Sequence, residues 1–212
     1  MEFTRIVALR HGETTWNQDK RLQGQLDIPL NERGHWQAAR AAEALRDEPV
    51  AAVYSSDLAR AHQTASAIAA LKGLAVRPHV GLRERHFGDF QGRTWTELEV
   101  EEPEAALAWR TRVPEFAPGG GETLLQLRAR IAAALDEIAA HHAGEQIVVV
   151  AHGGVLDMVY RLATRLELRA PRTWAVENAA IHRLLWTPEG LGLVGWADRS
   201  HLDDGTLDES AS

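Results

Sequence analysis

Two apolar runs in this chain end in the same way. Ile6-Val7-Ala8-Leu9 leads into Arg10-His11-Gly12, and Ile147-Val148-Val149-Val150-Ala151 leads into His152-Gly153. Short runs of branched aliphatic residues closed by polar residues and glycine read as strands covered on both faces, the pattern of parallel strands with helices outside. In an open sheet of that kind small ligands lie beyond the carboxyl ends of the strands. Both histidines are therefore expected to face one crevice.

Further strand signals fall at Val50 to Tyr54, Ala75 to Arg77, Ala180 to Trp186 and Gly192 to Trp196, beside those of Arg5 to Leu9 and Ile147 to Ala151. Helical patterns separate most of them. Ala38, Ala42 and Leu45 form one stripe over Glu32 to Arg46, and Ser56 or Asp57 is placed to cap a helix through Leu71. Leu124, Leu127, Ile131, Leu135 and Ile138 recur at three and four residues over Thr123 to His142, and a further helix is read around Glu104 to Arg112. Alternating strands and helices predict an α/β fold: a single three-layer αβα domain with a mostly parallel central sheet. Residues 1–200 are expected to form that domain, and the acidic, aperiodic segment 201–212 a solvated tail. Pro114 to Gly121 reads as a connector, with a lid over the crevice as the alternative.

Several function classes are set aside by composition. A net charge of −7 argues against general nucleic-acid binding, which needs a basic field. Without cysteine the chain has neither disulfides nor thiolate metal sites, and Met1 to Arg5 lacks the features of a signal peptide. A cytoplasmic, soluble protein is expected. No apolar run approaches the length of a membrane span, so no membrane partner is expected.

A third strand end adds to the two histidines. Val53-Tyr54-Ser55-Ser56 runs into Asp57-Leu58-Ala59-Arg60, which sets Arg60 in the first turn of a helix whose N-terminus points at the crevice. Arg10 and Arg60 can each grip a phosphoryl or carboxylate group with two hydrogen bonds. An anion pocket in an otherwise acidic chain is the expectation. Metal binding is the rival account of clustered histidine, yet no HExxH or HxH spacing occurs. His141 and His142 read as partners of a helix C-terminus, and Gly119-Gly120-Gly121 is not followed by the Lys-Ser or Lys-Thr of a Walker loop.

Four ordered blocks then point to a family. Arg10-His11-Gly12-Glu13-Thr14-Thr15-Trp16-Asn17, continued by Arg21 to Leu30, resembles the opening signature of the histidine phosphatase superfamily, in its phosphoglycerate mutase-like branch. Ser55 to Ala65, Leu82-Arg83-Glu84 with Gly88 to Gly92, and Ala151-His152-Gly153-Gly154 resemble the blocks that follow it. The resemblance implies a phosphoglycerate mutase-like fold and a phosphohistidine mechanism. On these positions His11 would attack phosphorus, and Arg10, Arg60 and His152 would hold the equatorial oxygens. Asn17, Gln23, Gly24 and the Gly153 N–H would contact substrate, and Glu84 would protonate the leaving oxygen and later deprotonate water. It implies no metal and no cofactor, a small phosphate monoester as substrate, and a possible homodimer.

Hydrolysis is favoured over mutase chemistry. Phe90 and Gly121 stand only about thirty residues apart, short for the insertion that carries the carboxylate-gripping residues of true mutases. Trp95 stands where the mutase form would carry lysine, Gly154 where it would carry asparagine, and Gln23 in place of a small hydroxyl residue. Against this, Glu84-Arg85-His86-Phe87-Gly88 matches the mutase form of its block, which keeps phosphoglycerate mutase as the alternative. A phospho-ligand binder without turnover is the third reading, disfavoured because His11 and Glu84 are both present.

Overall fold

The computed structural model describes residues 3–203. In chain order it contains β1 (Thr4–Arg10), α1 (Thr15–Gln18), α2 (Glu32–Ala44), β2 (Ala52–Ser55), α3 (Ala59–Lys72) and β3 (Val76–Pro78). These are followed by α4 (Trp95–Glu101), α5 (Pro103–Arg110), α6 (Leu124–Ala139), β4 (Gln146–Ala151), α7 (Gly153–Thr164), β5 (Ile181–Thr187) and β6 (Gly190–Asp198). The six strands form one sheet in the order β3-β2-β4-β1-β5-β6. The first four run parallel, while β5 pairs antiparallel with β1 and with β6.

Alternation along the central strands builds two cores. Ile6, Ala8, Ile147 and Val149 face α6 and α7, meeting Leu127, Ile131, Leu156 and Val159. Val7, Leu9, Val148 and Val150 face the other way, onto Ala41 and Leu45 of the α2 region and Ala65 and Ile68 of α3. A strand flanked by helices on both faces must be apolar at every position, which is why these runs show no polar alternation. A third cluster sits away from the sheet, where Phe87, Phe90 and Leu98 pack with Trp95, Trp109 and Phe116. It fastens α4, α5 and their flanking loops beside the carboxyl end of the sheet.

Every strand expected from the sequence is present, with end points shifted by one or two residues. One capping assignment is corrected. The N-cap of α3 is Leu58, whose side chain makes no cap bond. Ser56 Oγ accepts from the Leu58 N–H at 3.1 Å, Asp57 pairs with Arg83, and the acceptor for the Ala59 N–H is the distant Asp27 Oδ1 at 2.6 Å. Helices α1, α4 and α7 extend the expected set; Thr94 and Glu97 cap α4 reciprocally.

The 114–121 segment is fastened to its surroundings. Arg85 Nη2 donates to Phe116 O at 2.9 Å, and the adjoining Glu122 N–H donates to His86 O at 2.8 Å. Of the segment 201–212, His201 and Leu202 lie in a short turn where Arg40 Nε donates to His201 O at 2.8 Å. Residues 204–212 lie outside the described residues.

Candidate active site

Three strand ends deliver the expected residues to one place. Arg10 closes β1, His11 follows it, Arg60 is the second residue of α3, and His152 caps the start of α7 directly after β4. Hydrogen bonding β1 to β4 sets Arg10 opposite Ala151 and so brings the two histidines side by side. Their ring centroids are 5.2 Å apart. Arg10, His11, Asn17, Gln23, Gly24, Arg60, Glu84 and Gly153 all line a cavity of about 240 Å³. His152 is fully buried behind it, with neither ring nitrogen hydrogen-bonded.

The His11 ring is held in one tautomer. Its Nδ1 lies 2.7 Å from Gly12 O, and since a carbonyl only accepts, Nδ1 carries the proton and Nε2 a lone pair. The loop that bears it is tied on both sides: the Gly12 N–H donates to Thr64 Oγ1 at 3.0 Å, and Asn178 Nδ2 donates to His11 O at 2.8 Å. Burial first, then the Arg60 and Arg10 guanidinium charges, hold the His11 pKa well below the usual histidine range. The ring is uncharged at neutral pH. His152 is likewise pushed well down by burial and by Arg60, so it too is a neutral imidazole here rather than part of a positive cage.

The two arginines supply the charge. Arg60 Nη1 and Nη2 donate to Leu26 O at 2.8 Å and Gly24 O at 2.7 Å, and Arg10 Nη1 donates to Val176 O at 2.8 Å. Backbone carbonyls thus fix both guanidinium planes without neutralising them. Burial lowers Arg60 to about 10, which leaves it protonated at neutral pH. The buried Nε of each has no partner. Gly24 has φ +53°, a left-handed backbone that glycine adopts readily, and a side chain there would collide with Gln91.

Around this centre the remaining polar groups are oriented by local structure. Thr14 caps α1, and Asn17 Oδ1 accepts the Thr14 N–H at 3.1 Å, so the Asn17 amide presents its NH2 elsewhere. Glu84 Oε1 accepts from the Arg85 N–H at 2.8 Å and Oε2 from the Gly154 N–H at 3.0 Å. Arg21, Leu22, Phe87, Gly154, Arg172 and Val176 complete the cavity wall. Arg172 is absent from the residues singled out in the sequence, and Arg21 stands there only as the first residue of the block that runs to Leu30, with no role of its own. Arg21 donates to Gly92 O at 2.8 Å, whereas Arg172 lies in the aperiodic stretch between α7 and β5, where no local pattern distinguishes it.

The cationic and aromatic residues between Arg83 and Trp109 separate into groups. Phe87 reaches the cavity; Arg85 and Trp109 line an adjoining one; Arg83 is engaged by Asp57; Phe90 and Trp95 belong to the aromatic cluster. Among the described residues no group of three or more His, Asp and Glu side chains is arranged to hold a metal ion, and no helix is long and apolar enough to cross a membrane.

Comparison with known proteins gives this geometry a lineage. Residues 6–199 match the family model of the histidine phosphatase superfamily (branch 1). A phosphoglycerate mutase-like protein 4 of Arabidopsis thaliana is 41% identical over 208 residues, covering 96% of this chain and 89% of the relative. A metal-independent phosphoserine phosphatase of the same plant is 42% identical over 207 residues, covering 95% and 84%. Among solved structures, a mycobacterial glucosyl-3-phosphoglycerate phosphatase complexed with VO3 superposes with a TM-score of 0.82 at 35% identity, covering 92% of this chain and 99% of its own.

Proposed function

Because this chain belongs to the histidine phosphatase superfamily, branch 1, we propose that it hydrolyses a small phosphate monoester through a phosphohistidine formed on His11. It is a phosphoric monoester hydrolase, in keeping with relatives named as phosphatases. The observation that carries the residue assignment is the state of His11: neutral, protonated on Nδ1, lining the cavity with Nε2 unpaired, and flanked by two fixed guanidinium groups.

The Nε2 lone pair attacks phosphorus as the bond to the ester oxygen breaks. Arg10 and Arg60 offset the charge on the equatorial oxygens; His152, Asn17 and the Gly153 N–H donate to them, and Gln23 and Gly24 shape the same wall. The Glu84 carboxyl gives its proton to the leaving oxygen, releasing the alcohol. Water then enters, Glu84 takes one of its protons, the P–N bond breaks, and inorganic phosphate leaves with His11 again neutral. Fixed arginines supply the positive charge, so the reaction needs no metal. Residues 1–200 act as one catalytic domain.

The test is a panel of monoesters, including p-nitrophenyl phosphate and 3-phosphoglycerate, assayed with and without chelator and orthovanadate. Release of phosphate that vanadate inhibits and chelator leaves intact is expected. Rapid interconversion of 2- and 3-phosphoglycerate dependent on 2,3-bisphosphoglycerate would favour the mutase, and activity lost to chelator and restored by a divalent ion would overturn the metal-free mechanism.

A further inference from the structure

The loop between α7 and β5 grips the end of the strand that carries the nucleophile. Val176 O accepts from Arg10 Nη1 at 2.8 Å, the Ala179 N–H donates to Arg10 O at 3.0 Å, and between them Asn178 Nδ2 donates to His11 O at 2.8 Å. Ala179 reaches its partner with φ +56°, a left-handed backbone that residues with side chains seldom adopt. Such strain persists where the surroundings hold it. Here the hold comes from β6 and the turn after it: Trp196 Nε1 donates to Ala175 O at 2.7 Å, and Arg199 Nη1 donates to Glu177 at 2.7 Å. Asn178 therefore stands at a fixed place beside His11.

The same amide meets a second group. Asn178 Nδ2 lies 3.4 Å from Asn17 Oδ1, which also accepts the Thr14 N–H and the Thr14 hydroxyl, each at 3.1 Å. Backbone groups settle the orientation of both amides. The His11 carbonyl requires nitrogen on the Asn178 atom that faces it, and the Thr14 N–H requires oxygen on Asn17. Three donors thus converge on Asn17 Oδ1 and turn its NH2 away from them. Asn17 lines the catalytic cavity, and its Nδ2 bonds to no protein group among the described residues. With that amide reversed, an oxygen would face the phosphoryl oxygens and repel them.

We propose that Asn178 is a positioning residue for phosphoryl transfer: its NH2 fixes which end of the Asn17 amide meets the transferred group, while it holds the carbonyl of the nucleophile. Asn178 is no part of the cavity wall and acts through Asn17, 161 positions away in the chain. This role rests on the hydrolase reading and adds a residue to its machinery.

A double-mutant cycle tests it. Asn178→Asp keeps the side chain's size but sets an acceptor against His11 O and Asn17 Oδ1. Its kcat/KM on p-nitrophenyl phosphate should fall by about tenfold or more, and further than that of Asn178→Ala. A role in packing alone reverses that order, because aspartate fills the site and alanine does not. In an Asn17→Ala background the Asn178→Asp loss should shrink by about fivefold or more, since the group it acts through is gone. Plain repulsion of substrate by the new carboxylate would leave the loss unchanged. Should Asn178→Asp not fold, the cycle built with Asn178→Ala reads the same coupling, expected at about twofold or more. The reverse order of the two variants, or a loss equal in both backgrounds, would overturn the assignment. Should wild type hydrolyse no ester, the hydrolase reading fails, and calorimetric titration with inorganic phosphate tests Asn178 separately. The same loss of affinity, and the same shrinkage without Asn17, would support its role; no binding to wild type, or an equal loss in both backgrounds, would overturn it.

Discussion

Gly154 holds Glu84 by contact as well as by hydrogen bond. Its N–H donates to Glu84 Oε2 at 3.0 Å, and a methyl group on its Cα would overlap Oε1. The proposed proton donor is therefore positioned by the first turn of α7, the same turn that follows His152. A methyl on Gly153, by contrast, would come no closer than 3.7 Å to Arg10 and 3.9 Å to Glu84 Oε2. Gly154→Ala should displace the carboxylate and lower kcat on alkyl phosphates by about tenfold or more, a larger loss than Gly153→Ala. Steady-state kinetics on the two variants checks the order, and the reverse order would mean that Glu84 is placed by something else.

Glu84→Gln removes the transferable proton while keeping the side chain's shape. An alkyl leaving group needs that proton and p-nitrophenolate does not, so kcat on an alkyl phosphate should fall about 10²- to 10⁴-fold and on p-nitrophenyl phosphate far less. Equal losses on the two substrates would assign the proton to another group.

Acid should destabilise the fold before its carboxylates titrate. Burial pushes His182 down to about 4, and His11 and His152 are also lowered. An unfolded histidine takes up a proton below about 6.5. Between that value and about 4 the unfolded state binds protons that the folded state refuses, so stability present above pH 6.5 is lost as pH falls, by up to about 1.4 kcal/mol per pH unit for each such histidine. Urea midpoints measured at pH 7.5 and pH 5 should show the loss; a flat or rising profile would contradict the neutral burial of these rings.

Asp27 ties the loop that carries Gly24 and Leu26 to the start of α3. Its Oδ1 accepts the Ala59 N–H at 2.6 Å, one residue before Arg60. Asp27→Ala should cost about 1 kcal/mol of stability, as for a lost helix cap, and raise KM for phosphate esters through the loosened Arg60. Denaturant unfolding alongside KM measurement separates the two effects, and an unchanged KM would confine Asp27 to capping.

What could be read without coordinates follows the range of the interactions. Strands β1 and β4 declare themselves because burial on both faces leaves unbroken aliphatic runs, and the arrival of His11 and His152 at one end follows from parallel pairing. The α3 cap could not be read, because Asp27 lies 32 residues from the amide it serves. Helix α4 left a usable signal in Thr94 and Glu97, a capping box at the proper spacing. Nothing local marks Arg172, which joins the cavity wall only because the loop after α7 folds back to it.

The central claim is a covalent bond between phosphorus and His11. Rapid acid-free quenching of the enzyme during turnover of p-nitrophenyl phosphate, followed by peptide mass spectrometry, reads it directly. A single phosphoryl group on the His11 peptide, stable to base, labile to acid and absent from His11→Ala, is the predicted result. Turnover that persists in His11→Ala, or a phosphoryl group carried by any other residue, would contradict it.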